Sequence, residues 1–96
     1  MPLHLLAQLE AKPGQAAALA ALLHTLVAAT RQESACLQYD LWQASDQPNS
    51  FVMVERWRDQ PGVDSHGQTS HFQAFLRASA GLLAQPMAVK HYRPTS

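Results

Sequence analysis

The spacing of apolar residues changes character along the first third of the chain. Leu3 to Glu10 is short and apolar and is followed by the turn Lys12-Pro13-Gly14, which predicts a β-strand. From Gln15 the spacing becomes that of one face of an α-helix, in an alanine-rich stretch from Ala16 to Ala29 that favours helix. The predicted apolar face of this helix consists of Leu19, Leu22, Leu23, Leu26, Val27 and Thr30.

Two segments with a period of two follow, and they predict a β-hairpin. The first is Cys36 to Ala44, the second is Phe51 to Arg58, and the loop between them, Ser45 to Asn49, consists of turn formers. In the first strand, one face is predicted to carry Leu37, Tyr39 and Leu41, and the other Cys36, Gln38, Asp40 and Trp42. In the second strand, one face is predicted to carry Phe51, Met53, Glu55 and Trp57, and the other Val52, Val54, Arg56 and Arg58.

The last third of the chain predicts a helix and a strand. Asp59 to Gly62 ends the preceding strand, and a short helical turn follows through His66. An amphipathic helix comes next, with Ser70 as its N-cap and Pro86 as its end. The apolar face of that helix consists of Phe72, Phe75, Leu76, Ser79 and Leu83. A final strand is predicted from Met87 to Arg93.

The order β-α-β-β-α-β predicts an α+β protein of the ferredoxin-like, split βαβ type. We expect residues 1–96 to form one domain with an antiparallel sheet and both helices on one of its faces. Val52 and Val54 are apolar on the face that the helices should leave open. This pattern predicts that the second face packs on another copy of the chain, in a homodimer.

Composition narrows the class of protein further. The 96 residues are 47% hydrophobic, and seven Lys and Arg balance seven Asp and Glu. Nucleic acid is therefore not expected as a partner, since binding phosphates needs a basic surplus. No membrane partner is expected either, because there is no polybasic surface or long apolar stretch. Cys36 stands alone, so no internal disulfide forms, and without a signal peptide the expected location is the cytoplasm.

The candidate chemistry centres on one carboxylate and two histidines. Glu55 shares a strand face with Phe51, Met53 and Trp57, so it needs a partner or a raised pKa. His66 or His71 could supply that partner, and a Glu–His pair beside an aromatic wall is a credible general base for a phenol or enol. The alternative is that the pair is purely structural. The spacing of the two histidines does not suit one helix face, so no metal is expected.

Two stretches resemble the antibiotic biosynthesis monooxygenase family, which includes small quinol monooxygenases. They are Arg31-Gln32-Glu33-Ser34-Ala35-Cys36-Leu37-Gln38-Tyr39-Asp40-Leu41, and Phe51-x-Met53-x-Glu55-x-Trp57 followed by His66-x4-His71-Phe72. The resemblance covers nearly the whole chain. It implies a dimeric ferredoxin-like α/β barrel that oxidises quinols or electron-rich polycyclic phenols with O2 and uses no flavin, haem or metal.

The resemblance also suggests roles for particular residues. His71 or His66 would be the base and Glu55 its orienter, while Trp57 and Phe72, with Tyr39 near them, would bind the substrate. The haem-degrading branch of this fold has an asparagine on the first strand where this chain has Ala7, which disfavours haem degradation. Two other functions stay open: an oxygen-independent isomerase or processing enzyme for a small carbonyl metabolite, and a dimer that only binds aromatic molecules.

Overall fold

The computed structural model describes residues 1–96 and contains four strands and three helices. The elements in chain order are β1 (Leu3–Glu10), α1 (Ala16–Thr30), β2 (Cys36–Ala44), β3 (Gln47–Trp57), α2 (Gln60–Gln68), α3 (Ser70–Ser79) and β4 (Ala88–Tyr92). The predicted order is confirmed, and the helical turn before His66 is a full helix of nine residues.

The strands form one antiparallel sheet in the order β2-β3-β1-β4. Residues directly opposite each other in the ladder share a face, so the register separates the two sides of the sheet. The inner face carries Leu5 opposite Glu55 and Ala7 opposite Met53, and all four are buried. The helices cover this side, as predicted. The hydrophobic core therefore lies between the sheet and the helices.

Helix α1 supplies most of the helical side of the core. Its buried residues are Leu19, Leu23, Leu26, Val27 and Thr30. They recur at the spacing of one helix face, so the sequence prediction for this face is confirmed apart from the half-buried Leu22. On the sheet, Phe51, Met53, Glu55 and Trp57 are all buried, which confirms the predicted inner face of β3.

The hairpin between β2 and β3 differs from the prediction in two places. The turn is only Ser45 and Asp46, and β3 begins at Gln47, so the loop predicted to reach Asn49 was too long. A bulge interrupts β2, since Cys36 lies opposite Trp57 whereas Gln38 lies opposite Arg56. The extra residue puts Cys36 on the inner side, and a strict period of two had placed it with Gln38.

Both the start and the end of α3 also differ from the prediction. Thr69, and not Ser70, caps the helix, because its hydroxyl accepts a hydrogen bond from the backbone N–H of Phe72 at 3.2 Å. The helix ends at Ser79, well before Pro86. Leu83 instead forms an isolated antiparallel bridge with Ala11, which ties the segment after α3 to the end of β1.

The outer face of the sheet is not covered by any element of the chain. It carries Trp42 opposite Val52, with Leu6 opposite Val54 further along. Trp42 is 62% exposed, and Tyr92 on the edge strand β4 is 49% exposed. None of the three helices has the length and apolar character needed to cross a bilayer.

Candidate functional site

A cavity of about 170 Å³ lies between the inner face of the sheet and the helices. Its walls are mainly apolar, and the polar groups that reach it come from Tyr39, Glu55 and His66. Val89, about half exposed on the edge strand, lies at its rim. A small, mostly apolar cavity with a few convergent polar groups is the usual form of a ligand site.

Glu33 joins the two candidate histidines. Its Oε2 lies 2.8 Å from Nδ1 of His66 and 2.7 Å from Nε2 of His71. An ionised carboxylate only accepts hydrogen bonds, so each imidazole donates an N–H to it. In neutral His66 the proton is then fixed on Nδ1, and Nε2 keeps a free lone pair. Side-chain exposure is 8% for His66, 14% for Glu33 and 25% for His71, so His66 is the innermost of the three.

A close packing contact explains how Glu33 reaches a helix more than thirty positions later in the chain. Asp59 caps α2 by accepting a hydrogen bond from Gly62 N–H at 2.9 Å. Gly62 packs so closely on Ala35 that an added Cβ would overlap the alanine side chain. Arg58 N–H also donates to the Ala35 carbonyl at 2.9 Å. The segment that carries Glu33 is thereby fixed against the start of α2.

The break between α2 and α3 brings the histidines together. His66 and His71 are five positions apart, and on one continuous helix they would point about 140° away from each other. Thr69 is extended, with φ −67° and ψ 151°, so the chain turns between the two helices. Its hydroxyl donates to the His66 carbonyl at 2.8 Å and so caps both helices.

Glu55 does not have the partner that the sequence analysis expected. Its Oε1 accepts a hydrogen bond from Nε1 of Trp57 at 2.9 Å, and neither histidine bonds to it. The expectation that Glu55 orients a histidine is therefore wrong, since that position belongs to Glu33. Glu55 still lines the cavity and is only 6% exposed.

Burial shifts the acid–base properties of the groups in the cavity. Desolvation raises the pKa of Glu55 to about 7, and the nearby Glu33 charge adds to the rise. Desolvation lowers the pKa of His66, against the opposing effect of its hydrogen bond to Glu33. The pKa of Tyr39 is raised, first by burial and then by the Glu55 charge, so its hydroxyl stays protonated. A carboxyl group with a raised pKa and an imidazole with a lowered pKa thus share one small cavity.

Aromatic side chains surround the His66 imidazole. Its ring centroid lies 4.7 Å from that of Trp57 and 4.7 Å from that of Phe72, with Tyr39 at 5.5 Å. Tyr39 and Trp57 meet edge to face at 6.2 Å. The aromatic residues predicted to form a wall therefore do lie together, although Trp57 itself is fully buried behind the imidazole and does not line the cavity.

Glu33, His66 and His71 are also the residues most able to hold a metal ion. Their ligand atoms, one oxygen and two nitrogens, lie within 4.8 Å of one another. That set suits first-row divalent cations. Each of the three atoms is already engaged in the hydrogen bonds described above, so the arrangement is complete as a carboxylate shared by two imidazoles.

The predicted site residues thus divide into two groups. Tyr39, Glu55, His66 and Phe72 line the cavity, whereas Trp57 packs on the His66 ring and His71 shares Glu33 with His66. Glu33 was missed, although it lies within the stretch from Arg31 to Leu41 that carried the family resemblance. Its only local signal is a single carboxylate in a polar turn after a helix, and many solvated residues share that pattern.

Comparisons with known proteins identify the fold and the family. The family model for "Antibiotic biosynthesis monooxygenase" matches residues 2–78. The crystal structure of PA3566 from Pseudomonas aeruginosa is 40% identical and has a TM-score of 0.93, with coverage of 99% of this chain and 95% of that one. The Mycobacterium tuberculosis protein named "Putative monooxygenase Rv0793" is 31% identical over 93 residues, which is 97% of this chain and 91% of that protein.

A third relative is longer than this chain. The Synechocystis protein named "Uncharacterized protein sll1783" is 32% identical over 92 residues, and the match spans 96% of this chain but only 63% of that protein. The fold and site define a small α+β protein with a ferredoxin-like sheet and an apolar cavity that a carboxyl and an imidazole group reach. The chain belongs to the antibiotic biosynthesis monooxygenase family.

Proposed function

We propose that this protein is a monooxygenase that oxidises a small quinol or phenol with O2 and needs no cofactor. The observation that carries the proposal is His66, a histidine on the wall of an apolar cavity whose Nδ1 is held by Glu33. His66 Nε2 is left free to accept a proton from a bound hydroxyl group. Glu33 fixes the tautomer and stabilises the imidazolium that forms, as the carboxylate does in a catalytic triad.

The volume of the cavity supports a substrate with one ring. A cavity of about 150 Å³ lined by apolar side chains accommodates benzene. The cavity here is of similar size, about 170 Å³. A hydroquinone or a substituted phenol therefore fits inside it.

The proposed reaction uses the substrate anion as the reductant. His66 removes the phenolic proton, and the anion gives one electron to O2, which leaves an aryloxyl radical and superoxide. The two combine to form a carbon–oxygen bond at the ring. Loss of water then gives the quinone, so one oxygen atom stays on the ring, the other leaves as water, and O2 is the only oxidant. Glu55 can donate a hydrogen bond to the developing negative charge, because its pKa of about 7 leaves it partly protonated at neutral pH.

Oxygen consumption by the chelator-treated protein tests this proposal. We expect uptake above the autoxidation blank with single-ring quinols and a loss of about a hundredfold in His66→Ala. Glu33→Gln should lose about tenfold or more, because a neutral amide does not stabilise the imidazolium as the carboxylate does. His24→Ala is the matched control, since His24 is exposed on α1. No uptake across the panel, or equal uptake in His66→Ala, would contradict the proposal.

A second candidate function uses the same groups without oxygen. Glu55 and His66 both line the cavity, and burial shifts their pKa values in opposite directions, which is the arrangement of an acid–base pair. Such a pair could isomerise a small carbonyl compound. Turnover under nitrogen distinguishes this function from the monooxygenase, and ligand binding without any product would indicate a binding protein.

We also propose that the protein works as a homodimer in which the open sheet faces pack together. The support is the uncovered outer face, where the half-buried Val52 and Val54 accompany the exposed Trp42. A large exposed aromatic residue among apolar neighbours is typical of an interface.

A further inference from the structure

A second, outward-facing void adjoins the cavity. This outer groove lies between α1 and α3, has a volume of about 250 Å³, and is distinct from the cavity described above. Its lining consists of Leu22, Thr25, Leu26, His71, Ala74, Phe75 and Ala78. Alanine and threonine side chains on facing helices are small, so the groove is the space that they fail to fill.

The cavity and the outer groove share two residues, Leu26 and Phe75. Leu26 is 3% exposed and Phe75 is 5% exposed, so both are core residues that present one side to each void. A single layer of two side chains therefore separates the cavity from the larger groove. His71 lies on the groove side of this layer and does not line the cavity.

We propose that Leu26 and Phe75 are the specificity-determining residues of this site, and that they restrict it to single-ring phenols by closing the cavity toward the outer groove. The inference rests on the proposed function only in taking a phenol as the ligand. If either side chain is shortened, the two voids join, and the combined space falls in the size range of ordinary ligand pockets. A second ring then has room between α1 and α3.

Shortening Leu26 or Phe75 should make the protein bind a two-ring phenol more tightly. General damage to the protein does not produce such a gain. The probes are 4-methylphenol, with one ring, and 2-naphthol, with two, and their dissociation constants are measured by calorimetry under nitrogen. The wild-type protein is expected to prefer 4-methylphenol. Phe75→Ala and Leu26→Ala are each expected to raise the affinity for 2-naphthol by about tenfold.

A matched control separates the effect of joining the two voids from that of enlarging the groove. Leu22 lines the outer groove and not the cavity. Leu22→Ala enlarges the groove without joining it to the cavity, and it is expected to keep the 2-naphthol affinity within about threefold of wild type. If Phe75→Ala does not fold, Phe75→Leu removes less of the side chain between the two voids. Thermal melting shows whether each variant is folded.

Each outcome of this experiment bears on the inference. An unchanged 2-naphthol affinity in folded Phe75→Ala and Leu26→Ala would overturn it, and so would an equal gain in Leu22→Ala or a wild-type protein that binds both probes equally. A gain in 2-naphthol affinity that is confined to Phe75→Ala and Leu26→Ala supports the inference. If the wild-type protein binds 4-methylphenol but consumes no oxygen with any quinol, the monooxygenase proposal fails while the specificity inference stands.

Discussion

The buried carboxyl group of Glu55 makes the stability of the protein depend on pH. Its pKa is about 7 in the folded protein, against a reference value of 4.5. Below pH 4.5 the group is protonated in both states, and its contribution to stability is fully present. As the pH rises through 7, the folded protein must hold a buried charge that the unfolded chain exposes to water.

The size of the effect follows from the difference between the two pKa values. One pKa unit corresponds to about 1.4 kcal/mol, so this group lowers the free energy of unfolding by about 3 kcal/mol between acidic pH and pH 8. Glu55→Gln removes the ionisation but keeps an oxygen that can accept the hydrogen bond from Trp57. The variant is therefore expected to gain stability relative to wild type as the pH rises.

Urea unfolding of both proteins at pH 5, 6, 7 and 8 measures this difference. Protein concentration and ionic strength are held constant, because a dimer links stability to concentration. His66 titrates in both proteins, so its effect largely cancels in the difference. Asp46→Asn, an acid-to-amide change in the exposed β2–β3 turn, is the control. A stability difference between Glu55→Gln and wild type that does not change with pH would refute the reasoning.

Three further predictions concern the interface, the histidine cluster and the packing that holds Glu33. Trp42→Asp is expected to convert a dimer to monomers, because it puts a charge on the outer face of the sheet. Light scattering after gel filtration measures the mass, and an unchanged mass would argue against that interface. Zn²⁺ is expected to bind His66 Nδ1 together with Glu33 and His71, and so to inhibit turnover. EDTA should restore the activity. Full activity in excess Zn²⁺ would exclude this binding mode. Gly62→Ala is expected to lower the free energy of unfolding by about 1 to 3 kcal/mol, because the new Cβ overlaps Ala35. It should also reduce kcat, because the overlap shifts Glu33. A fully stable variant would show that the contact relaxes.

The sequence alone determined the elements and the inward-facing side of most of them. The alternation that buries Phe51, Met53, Glu55 and Trp57, and the helical spacing from Leu19 to Thr30, are both local patterns. They can be read without tertiary information because side-chain direction repeats with a fixed period in a strand or a helix. Local patterns were less reliable where one inserted residue changes the register, as at the bulge after Cys36.

The tertiary structure decided which side chains meet at the site. Glu55 was the expected partner of a histidine because it lies among apolar residues on a strand, yet Glu33 holds both histidines. That contact depends on the close packing of Gly62 on Ala35 and on the extended residue Thr69 between α2 and α3. No periodic pattern records such contacts, since they join residues far apart in sequence and are fixed only when the helices pack against the sheet.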